Sequence, residues 1–389
     1  MRGSFRAPYK SQKMEERRMK KRVIGSLLLA GVLMTSVIGC AAKTEQKQQT
    51  TAVVSESQIS ENQLSQNQVS ENVLVTKTTE SQNEVSDNEV KEDTIVRVGS
   101  LKGATSIGLL SMMNQDQQNN TKVDYEFTMA TAAEEITTAF AKGELDIVLV
   151  PANVASVLYQ KTKGNTSVID INTLGVLYLV SGDTQITDLS GIEGKTVYVT
   201  GKGTSPDYVL QYLISENKLE NVTIEYKAEP AEVVAILSKD PTAIGLLPQP
   251  FVTVACMKND KLAVVSDLSK EWETLQGEAG SKLITGVTIV RNDFLKEHEN
   301  LVRAFMEEHK ASADYANANT AETAKLVVAA GIIEKEPIAM KAIPACNITY
   351  LDGAKMKDAL AGYLEVLANL DKQAVGGTLP ADDFYYGVN

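Results

Sequence analysis

Two short turns rich in glycine, threonine and serine carry the groups of this chain that are best suited to bind a small molecule. Their sequences are Gly103-Ala104-Thr105-Ser106 and Gly203-Thr204-Ser205-Pro206. Glycine allows a backbone to approach a ligand closely, and the hydroxyl groups can donate or accept hydrogen bonds. Each turn is predicted to join a strand to a helix, where free backbone N–H groups and the helix dipole favour a negative or polar group. A small oxyanion or a neutral heterocycle would suit such a site.

The same residue types also have a purely structural use. Ser106 and Ser205 are typical helix caps whatever the function. Lys102 and Lys202 could supply a positive point charge beside the turns, or could be ordinary solvent-facing loop lysines. The arginines beyond Arg22 all lie outside the predicted turns, and they are Arg97, Arg291 and Arg303. A bidentate guanidinium clamp is therefore not expected, which argues against an ordinary amino-acid receptor.

Further candidate contacts follow the second and third predicted strands. Thr131 follows one of these strands, and the segment Pro151-Ala152-Asn153 follows the other. Carboxyl ends of parallel strands meet at one edge of a sheet, so these residues are expected at the same rim as the first turn. Asn153 could instead cap the helix that it begins. The aromatic side chains that could stack on a ring, or could belong to a core instead, are Tyr178, Tyr208 and Phe251.

Strand and helix patterns alternate from Ile95 onward, which predicts a mostly parallel sheet with helices on its faces. The predicted strands cover residues 95–99, 125–130, 145–150, 173–181, 196–200, 222–226, 243–247, 262–266 and 284–291. The predicted helices cover residues 106–113, 133–142, 152–161, 206–216, 231–237, 251–258, 300–317, 320–330, 337–343 and 353–370. The last helices need a sheet to pack on. We therefore predict a second lobe, residues 181–285, inserted into a first lobe of residues 95–180 and 286–389, with crossings near Val180 and Thr285.

The N-terminal part predicts an export signal that ends at a lipidation site. Residues 23–38 carry no charge, and the basic cluster Lys20-Lys21-Arg22 precedes them. The apolar run is short for a spanning helix, as in signal peptides. It ends in Val37-Ile38-Gly39-Cys40, which resembles the bacterial lipobox, whose cysteine carries diacylglycerol. We expect a signal peptide over residues 1–39; an uncleaved anchor helix with an incidental cysteine is the alternative.

A lipidated, disordered tether is predicted over residues 40–94. Residues 44–93 contain no aromatic residue, proline or glycine and are rich in Ser, Thr, Glu, Gln and Asn. Such a composition cannot bury enough apolar surface to offset the entropy lost on ordering. A five-residue echo starting at Ser60 fits neither a helix face nor a strand face. A pentapeptide β-helix is the alternative to a flexible spacer.

Composition and motifs argue against several function classes. The formal net charge is −12, with 50 acidic against 38 basic residues, so the chain is a poor partner for nucleic acid. The two histidines, His298 and His309, fall in or beside one predicted helix. No pair of cysteines or histidines has metal-ligand spacing, and no Gly-x-Ser-x-Gly elbow occurs. We expect no enzymatic activity, no metal and no cofactor.

The cysteines allow a limited conclusion. Cys40 is assigned to the lipid, which leaves Cys256 and Cys346. An exported protein could join these two in a disulfide, but they fall in different predicted lobes. We expect two buried thiols.

Five segments, taken in order, resemble those of a known family. They are Lys102-Gly103-Ala104-Thr105-Ser106-Ile107-Gly108, Asp146-Ile147-Val148-Leu149-Val150-Pro151-Ala152-Asn153, Gly203-Thr204-Ser205-Pro206, Leu246-Leu247-Pro248-Gln249-Pro250-Phe251 and Val290-Arg291-Asn292-Asp293-Phe294. They are similar to ABC-transporter substrate-binding proteins of the nitrate, taurine, aliphatic-sulfonate and thiamine-precursor group. The resemblance covers residues from Ile95 to about Leu370 and implies the two-lobed α/β fold of type II periplasmic-binding proteins. It also implies that Gln249 is a polar ligand contact; hydrogen bonding to the crossover backbone is the alternative.

The resemblance implies a solute receptor of an importer. A small molecule would bind between the lobes and pass to a permease and an ATPase on separate chains, since this chain has no ATPase motif. The protein would be an extracytoplasmic monomer, held at the outer face of the cell membrane by its lipid. The group also resembles a pyrimidine-forming synthase, but the cysteine-rich motif and central histidine of that enzyme do not occur here. A lipid-anchored adhesin or signalling subunit with the same fold is the alternative function.

The lipid anchor gives a direct test. Diacylglycerol supplies two acyl chains, which suffices for stable membrane attachment. We expect Cys40→Ala to abolish labelling of the protein by radioactive palmitate in cells, whereas Cys256→Ala, as a matched control, should keep full labelling. Unchanged labelling of Cys40→Ala would contradict the predicted lipidation site.

Overall fold

The computed structural model describes residues 94–277 and 281–388 of the chain. The predicted signal peptide, Cys40 and all of the predicted tether except Thr94 lie outside the described residues. The part that is described contains two β-sheets with helices packed around them, as the alternating pattern predicts.

The first sheet has six strands in the order β11-β4-β10-β3-β1-β2. They are β1 (Val96–Leu101), β2 (Tyr125–Ala130), β3 (Ile147–Pro151), β4 (Thr166–Leu174), β10 (Ile284–Arg291) and β11 (Ile348–Leu351). Strands β1, β2 and β3 are parallel, whereas β10 is antiparallel to both of its neighbours, β3 and β4.

The second sheet has five strands in the order β7-β6-β8-β5-β9. They are β5 (Leu177–Ser181), β6 (Thr196–Thr200), β7 (Thr223–Lys227), β8 (Ile244–Pro248) and β9 (Ala263–Asp267). Strand β6 is parallel to β7 and β8, and β5 is antiparallel to β8 and β9. Each sheet thus combines a parallel βα set with strands of opposite direction.

Thirteen α-helices occur in the described residues. They are α1 (Ala104–Ile107), α2 (Leu110–Gln117), α3 (Ala133–Ala141), α4 (Ala152–Lys161), α5 (Ser205–Glu216), α6 (Pro230–Lys239), α7 (Phe251–Lys258), α8 (Leu268–Gln276), α9 (Asn292–Glu297), α10 (Glu299–Ala318), α11 (Thr320–Ala329), α12 (Glu336–Ala342) and α13 (Gly353–Leu370). Short 3-10 helices cover Leu189–Ile192, Ile343–Ala345, Lys372–Val375 and Asp382–Phe384.

Several sequence-based element predictions were wrong. The predicted helix over residues 106–113 is two short helices, α1 and α2, and the predicted strand over residues 173–181 is the end of β4 followed by β5. The sequence analysis also missed most of β4, because Asp170, Asn172 and Thr173 interrupt its apolar pattern although each is at least 97 % buried. Strand β11 and helices α8 and α9 were likewise not predicted.

A buried polar network explains why polar residues occur inside β4. Asp170 accepts hydrogen bonds from Thr288 Oγ1 at 2.7 Å, and its other oxygen lies 3.1 Å from His309 Nδ1. Asn172 Nδ2 donates to Thr288 Oγ1 at 3.1 Å. His309 also packs against the rings of Phe305 and Tyr350. The network joins β4, β10 and α10, and buried polar groups are tolerated where they are paired in this way.

The chain passes between the two sheets at two neighbouring points. It leaves the first sheet after Leu174 and enters the second at Leu177, so the first crossing lies at Gly175-Val176 rather than near Val180. It returns between Gln276 and Ile284. Because Leu174 pairs with Ile284, both crossings start from the same place on the first sheet.

Hydrogen bonds from the first lobe and from the second sheet hold the backbone of the first crossing. Asn347 Nδ2 donates to the carbonyl of Gly175, and Leu174 N donates to the carbonyl of Asn347 at 3.1 Å. From the second sheet, Gln249 N donates to the carbonyl of Val176 at 2.9 Å. A Cβ atom at Gly175 would lie 2.1 Å from Ser269 Oγ, so glycine is needed where α8 approaches the crossing.

Both sheets contribute to one shared hydrophobic cluster. Helix α13 lies within it, and Trp272 of α8 stacks between Tyr212 of α5 and Tyr363 of α13, with ring centroids 4.8 Å and 5.3 Å away. Trp272 is fully buried and is the single tryptophan of the chain. Its fluorescence can therefore report on the contact between the lobes.

The place of β5 in the second sheet predicts which fragment of the chain folds on its own. A fragment of residues 177–277 contains every strand of the second sheet, so we expect cooperative urea unfolding followed by circular dichroism. The matched fragment 182–277 lacks β5, which pairs with both β8 and β9 and buries Leu177, Leu179 and Val180 completely. We expect no cooperative transition for this shorter fragment. Equal cooperativity of the two fragments would contradict the assignment of β5 to the second lobe.

Candidate functional site

The turns at the carboxyl ends of the parallel strands meet between the two sheets. The turn after β3 contacts the turn after β6, and the turn after β2 contacts the turn after β7. Brought together in this way, helix N-termini and turns from both lobes face each other, which is where α/β folds bind ligands. Four of the predicted residues thus take part in contacts between the lobes, namely Thr131, Asn153, Gly203 and Ser205.

Asn153 forms the central contact of this cleft. Its Nδ2 donates to the carbonyl of Gly203 at 3.1 Å and to that of Ala374 at 3.2 Å, and its Oδ1 accepts from Ser205 Oγ at 3.3 Å. Asn153 and Ser205 are fully buried. Asn153 is the second residue of α4 and bonds across to the other lobe rather than capping its own helix. The flanking Pro151 and Ala152 end β3 and begin α4, with Ala152 fully buried.

A second contact lies at the edge of the cleft. Thr131 Oγ1 donates to Glu229 Oε1 at 2.8 Å. A third is the ion pair between Lys258 Nζ of α7 and Glu334 Oε2, 3.5 Å apart. These partners belong to different sheets or to the helices packed on them, so the described conformation has the lobes in contact.

The first predicted turn is satisfied largely by its own backbone. Thr105 Oγ1 donates to the carbonyl of Leu101 at 3.2 Å, and Ser106 Oγ lies 2.8 Å from Ser100 Oγ and donates to the same carbonyl. Neither hydroxyl caps α1, whose N-cap residue is Gly103. Ala104, Thr105 and Ser106 are buried, at 6 %, 9 % and 0 % exposure.

In the second predicted turn the carboxylate of Asp207 binds the backbone N–H group at which a ligand anion was expected. Asp207 Oδ2 accepts from Gly203 N at 2.8 Å, and Asp207 Oδ1 accepts from Tyr226 and Gln211. Asp207 is only 3 % exposed. Burial and the hydrogen bond to Asp207 raise the pKa of Tyr226, so its hydroxyl remains a donor. Thr204 Oγ1 donates to the carbonyl of Gly201, while Gly203 takes a φ of 75° that suits glycine.

The two candidate lysines have different surroundings. Lys202 Nζ lies 5.1 Å above the ring of Tyr226 and is engaged in a cation–π contact. Lys102 is half-buried and forms no ion pair with any residue of the described part of the chain. Its Nζ lies next to Gly331, 3.9 Å from where a Cβ atom would be.

A cavity of about 670 Å³ occupies one side of the cleft. Lys102 and Thr131 are the predicted contacts that line it, together with Phe251 among the candidate aromatic residues. Residues from α6, α7 and the α11–α12 region complete the wall. Its volume falls within the range of small-molecule sites in proteins.

Gln249 has structural partners, and the two remaining aromatic candidates, Tyr178 and Tyr208, lie outside the cavity wall. Gln249 Oε1 accepts from Thr253 Oγ1 at 2.9 Å, and its backbone N–H holds the first crossing. Tyr178 and Tyr208 are half-buried and do not line the cavity. Burial is the main cause that raises the pKa of each of these two tyrosines.

The arginines lie away from the cleft, as the sequence analysis predicts. Arg97 forms a bidentate pair with Asp146, which is 1 % exposed, and Arg291 Nη1 lies 3.8 Å from the same carboxylate. Arg303 pairs with Glu299 on α10. None of the three lines the 670 Å³ cavity.

The thiols differ from the prediction in one respect. Both cysteines are free; Cys346 is buried, but Cys256 is only half-buried. Burial raises the pKa of Cys346 to about 12 and is also the main cause of the raised pKa of Cys256. These shifts keep the thiols protonated near neutral pH.

Sequence reasoning missed three contributors to the cleft. Asp207 could have been found from its place in the first turn of a helix after a glycine-rich turn, where an acidic residue complements free N–H groups. Glu229 is the N-cap residue of α6, just before Pro230, where an acidic residue also complements the helix N-terminus. The segment Lys372–Val375, which bonds to Asn153 and Ser156, carries no comparable signal.

Two searches of the described residues give negative results. Across 94–277 and 281–388, no group of three or more His, Cys, Asp or Glu residues could hold a metal ion. In the same ranges no helix has the length and apolar character needed to span a membrane.

No protein-family model and no curated protein matches the chain. Solved structures do match it. An ABC transporter protein from Parabacteroides distasonis has 23 % sequence identity and a TM-score of 0.61, with 75 % of this chain and 99 % of that chain covered. A zinc-bound ligand-binding component of an ABC-type import system from Staphylococcus aureus has 17 % identity, coverage of 75 % and 96 %, and a TM-score of 0.59. The periplasmic aliphatic sulphonate binding protein SsuA from Escherichia coli has 11 % identity, coverage of 76 % and 92 %, and a TM-score of 0.60.

These neighbours are substrate-binding proteins of ABC transporters, the group that the sequence motifs resemble. The described part of the chain has their mixed α/β fold with two sheets. The fold prediction is thus confirmed.

Asn153 gives a test of the contact between the lobes. Asn153→Ala should leave the buried carbonyl of Ala374 without a donor, which costs about 1–3 kcal/mol of unfolding free energy, and should also remove the bond to the carbonyl of the exposed Gly203. We also expect a larger radius of gyration in small-angle X-ray scattering, because the contact to Gly203 crosses between lobes. Ser156→Ala is the matched control, since Ser156 Oγ also lies on α4 but donates only to Val375 at 2.8 Å. Equal scattering of the two variants would contradict the interlobe role of Asn153.

Proposed function

We propose that this protein is the extracytoplasmic solute-binding lipoprotein of an ABC importer. It captures a small molecule in the interlobe cleft and delivers it to a permease driven by a separate ATPase. The observation that carries the proposal is the pair of α/β lobes, joined by two neighbouring crossings, with a cavity of about 670 Å³ between them. Hinged closure of two lobes around a ligand is a known behaviour of periplasmic binding proteins.

The contacts across the cleft support reversible opening. They include the hydrogen bonds of Asn153, the Thr131–Glu229 hydrogen bond and the Lys258–Glu334 ion pair. Each such contact contributes little net free energy, since water can replace the partner when the lobes separate. The first crossing, at Gly175-Val176, is a segment that would bend. A transport receptor must release its ligand, so we expect micromolar affinity.

The residues proposed to surround the ligand are those of the two turns and the adjoining rim. A sulfonate-like or nitrate-like anion and a thiamine-precursor-like heterocycle are both compatible with hydroxyl groups and helix N-termini. The hydroxyls of Thr105 and Thr204 donate to backbone carbonyls, and each oxygen keeps a lone pair that can accept from a ligand, whereas Ser106 is fully buried. Asp207 disfavours a negative ligand group at the second turn.

The cell surface is the proposed location. The export signal and Cys40 would attach the protein to the outer face of the cell membrane, and the acidic tether would hold the lobes away from it. The proposed partners are the solute, the permease and its ATPase, and the membrane through the lipid; the receptor would act as a monomer and without a cofactor.

A thermal-shift screen tests the solute-receptor proposal. The screen contains alkyl sulfonates, nitrate, bicarbonate and pyrimidines. A ligand at one hundred times its Kd should add about 2.7 kcal/mol to the unfolding free energy and raise the melting temperature by several degrees.

Two tryptophan variants localise the solute. Ala231→Trp places a large ring in the cavity and should abolish the shift, whereas Ala311→Trp changes an alanine of α10 that is also exposed and lies outside the cavity. The Ala311 variant should keep the shift. Failure of every solute to stabilise the protein, together with capture of a protein ligand at the cell surface, would overturn the proposal in favour of an adhesin or signalling subunit.

A further inference from the structure

The wall of the interlobe cavity is mainly apolar and carries a few charged groups. Most of the residues that line it are apolar, and they come from both lobes, for example Val234, Phe251 and Val254 from the second lobe and Val328, Ile332 and Ile338 from the first. Removing such an apolar surface from contact with water is favourable, so binding of a ligand with an apolar body would be favoured here. The charged groups are fewer and are placed at defined points of the wall.

The charges of the wall leave an excess of positive charge. Lys258 and Glu334 form an ion pair and balance each other. Glu229 accepts the hydroxyl of Thr131 at the edge of the cleft. Lys239 is exposed, whereas Lys102 is half-buried and has no carboxylate partner in the described residues. Within the described residues, Lys102 is therefore the half-buried cation of the wall that no carboxylate neutralises, while Glu229, which accepts only from a neutral hydroxyl, also keeps its charge.

Helix ends reinforce this electrostatic pattern. Helix α6 begins at Pro230 and helix α7 at Phe251, and both of these residues line the cavity. Glu229 at the N-cap and Glu232 in the first turn already compensate the N-terminus of α6, whereas α7 has no acidic residue in its first turn. A negative group placed in the cavity would be stabilised by the lysine and by the positive end of the α7 dipole.

The size of the cavity favours large anions over small ones as ligands. Nitrate or bicarbonate would fill only a small part of about 670 Å³ and would leave the apolar wall in contact with water. A larger ligand with an apolar body would cover that wall and place its charge at Lys102. Both features point to the same kind of molecule.

We propose that the interlobe cavity binds an organic anion with a ring-sized apolar body, and that Lys102 pairs with its negative group. This inference rests on the proposed function and narrows its ligand to one class. It excludes small inorganic oxyanions and uncharged heterocycles as the preferred solutes. The second glycine-rich turn, which bonds to Asn153 of the other lobe, then contributes to closure rather than to charge recognition.

Lys102 also has a structural interpretation that the test must separate. Its Nζ lies beside Gly331, just after the C-terminal end of α11, where a positive charge complements the helix dipole. A purely structural lysine would affect stability equally with and without a ligand. A ligand-pairing lysine would affect charged probes and leave uncharged probes unchanged.

Matched fluorescent probes test the proposal. The charged probe is 1-anilinonaphthalene-8-sulfonate and the uncharged probe is N-phenyl-1-naphthylamine, which has the same ring body. We expect saturable one-to-one binding, with the sulfonate bound at least tenfold more tightly. Lys102→Met should weaken sulfonate binding about ten- to hundredfold, as for loss of a charged hydrogen-bond partner, and leave the naphthylamine within twofold.

Two further variants act as controls. Lys102→Arg keeps the charge and should retain most of the sulfonate affinity, while Lys239→Met removes an exposed lysine of the same wall and should change it less than twofold. Equal binding of both probes, no sulfonate binding to the unmodified protein, or an unchanged sulfonate Kd in Lys102→Met would each overturn the inference. If the thermal-shift screen still finds a stabilising solute, the proposed solute-receptor function survives that result.

Discussion

The antiparallel pairing of β4 with β10 is the constraint on which the rest of this molecule depends. It runs from Leu174 opposite Ile284 to Thr166 opposite Arg291. Asp170, Thr288 and Asn172 link the two strands by buried hydrogen bonds beneath α10. Because the chain enters and leaves the second lobe at the end of this pair, the two connections lie side by side. Every contact across the cleft is set by that shared origin.

The buried polar groups inside the cleft find their hydrogen-bond partners where the two lobes meet. A buried amide such as that of Asn153 must find partners, because an unpaired polar group in the interior costs more than a paired one contributes. It finds them on the other lobe and on the segment Lys372–Val375. Asp207 satisfies the N-terminus of α5 in the same way. The turns are therefore held by contacts within the chain, and the cavity wall is left mostly apolar.

Local patterns predicted the parts of the fold that local chemistry determines. Helices α7 and α13 and strand β10 have the same bounds in sequence and structure, since uninterrupted periodicity and clear end signals define them. The buried strand β4 was missed because its polar residues pair with partners far away in the chain, such as His309. The roles of Asn153 and Asp207 depend on the same kind of distant contact. Their residue types were visible in the sequence, whereas their partners were not.

The order in which the chain folds follows from the β4–β10 pairing. Its partners are separated by about 110 residues, and closing a flexible loop of that length costs roughly 4 kcal/mol of chain entropy. Folding of the second sheet first removes that cost, because it brings the ends at Leu177 and Gln276 into one compact unit. We therefore expect the inserted lobe to act as the folding nucleus of the whole. Slow, non-local completion of the first sheet around it would then set the rate at which the described part of the chain finishes folding.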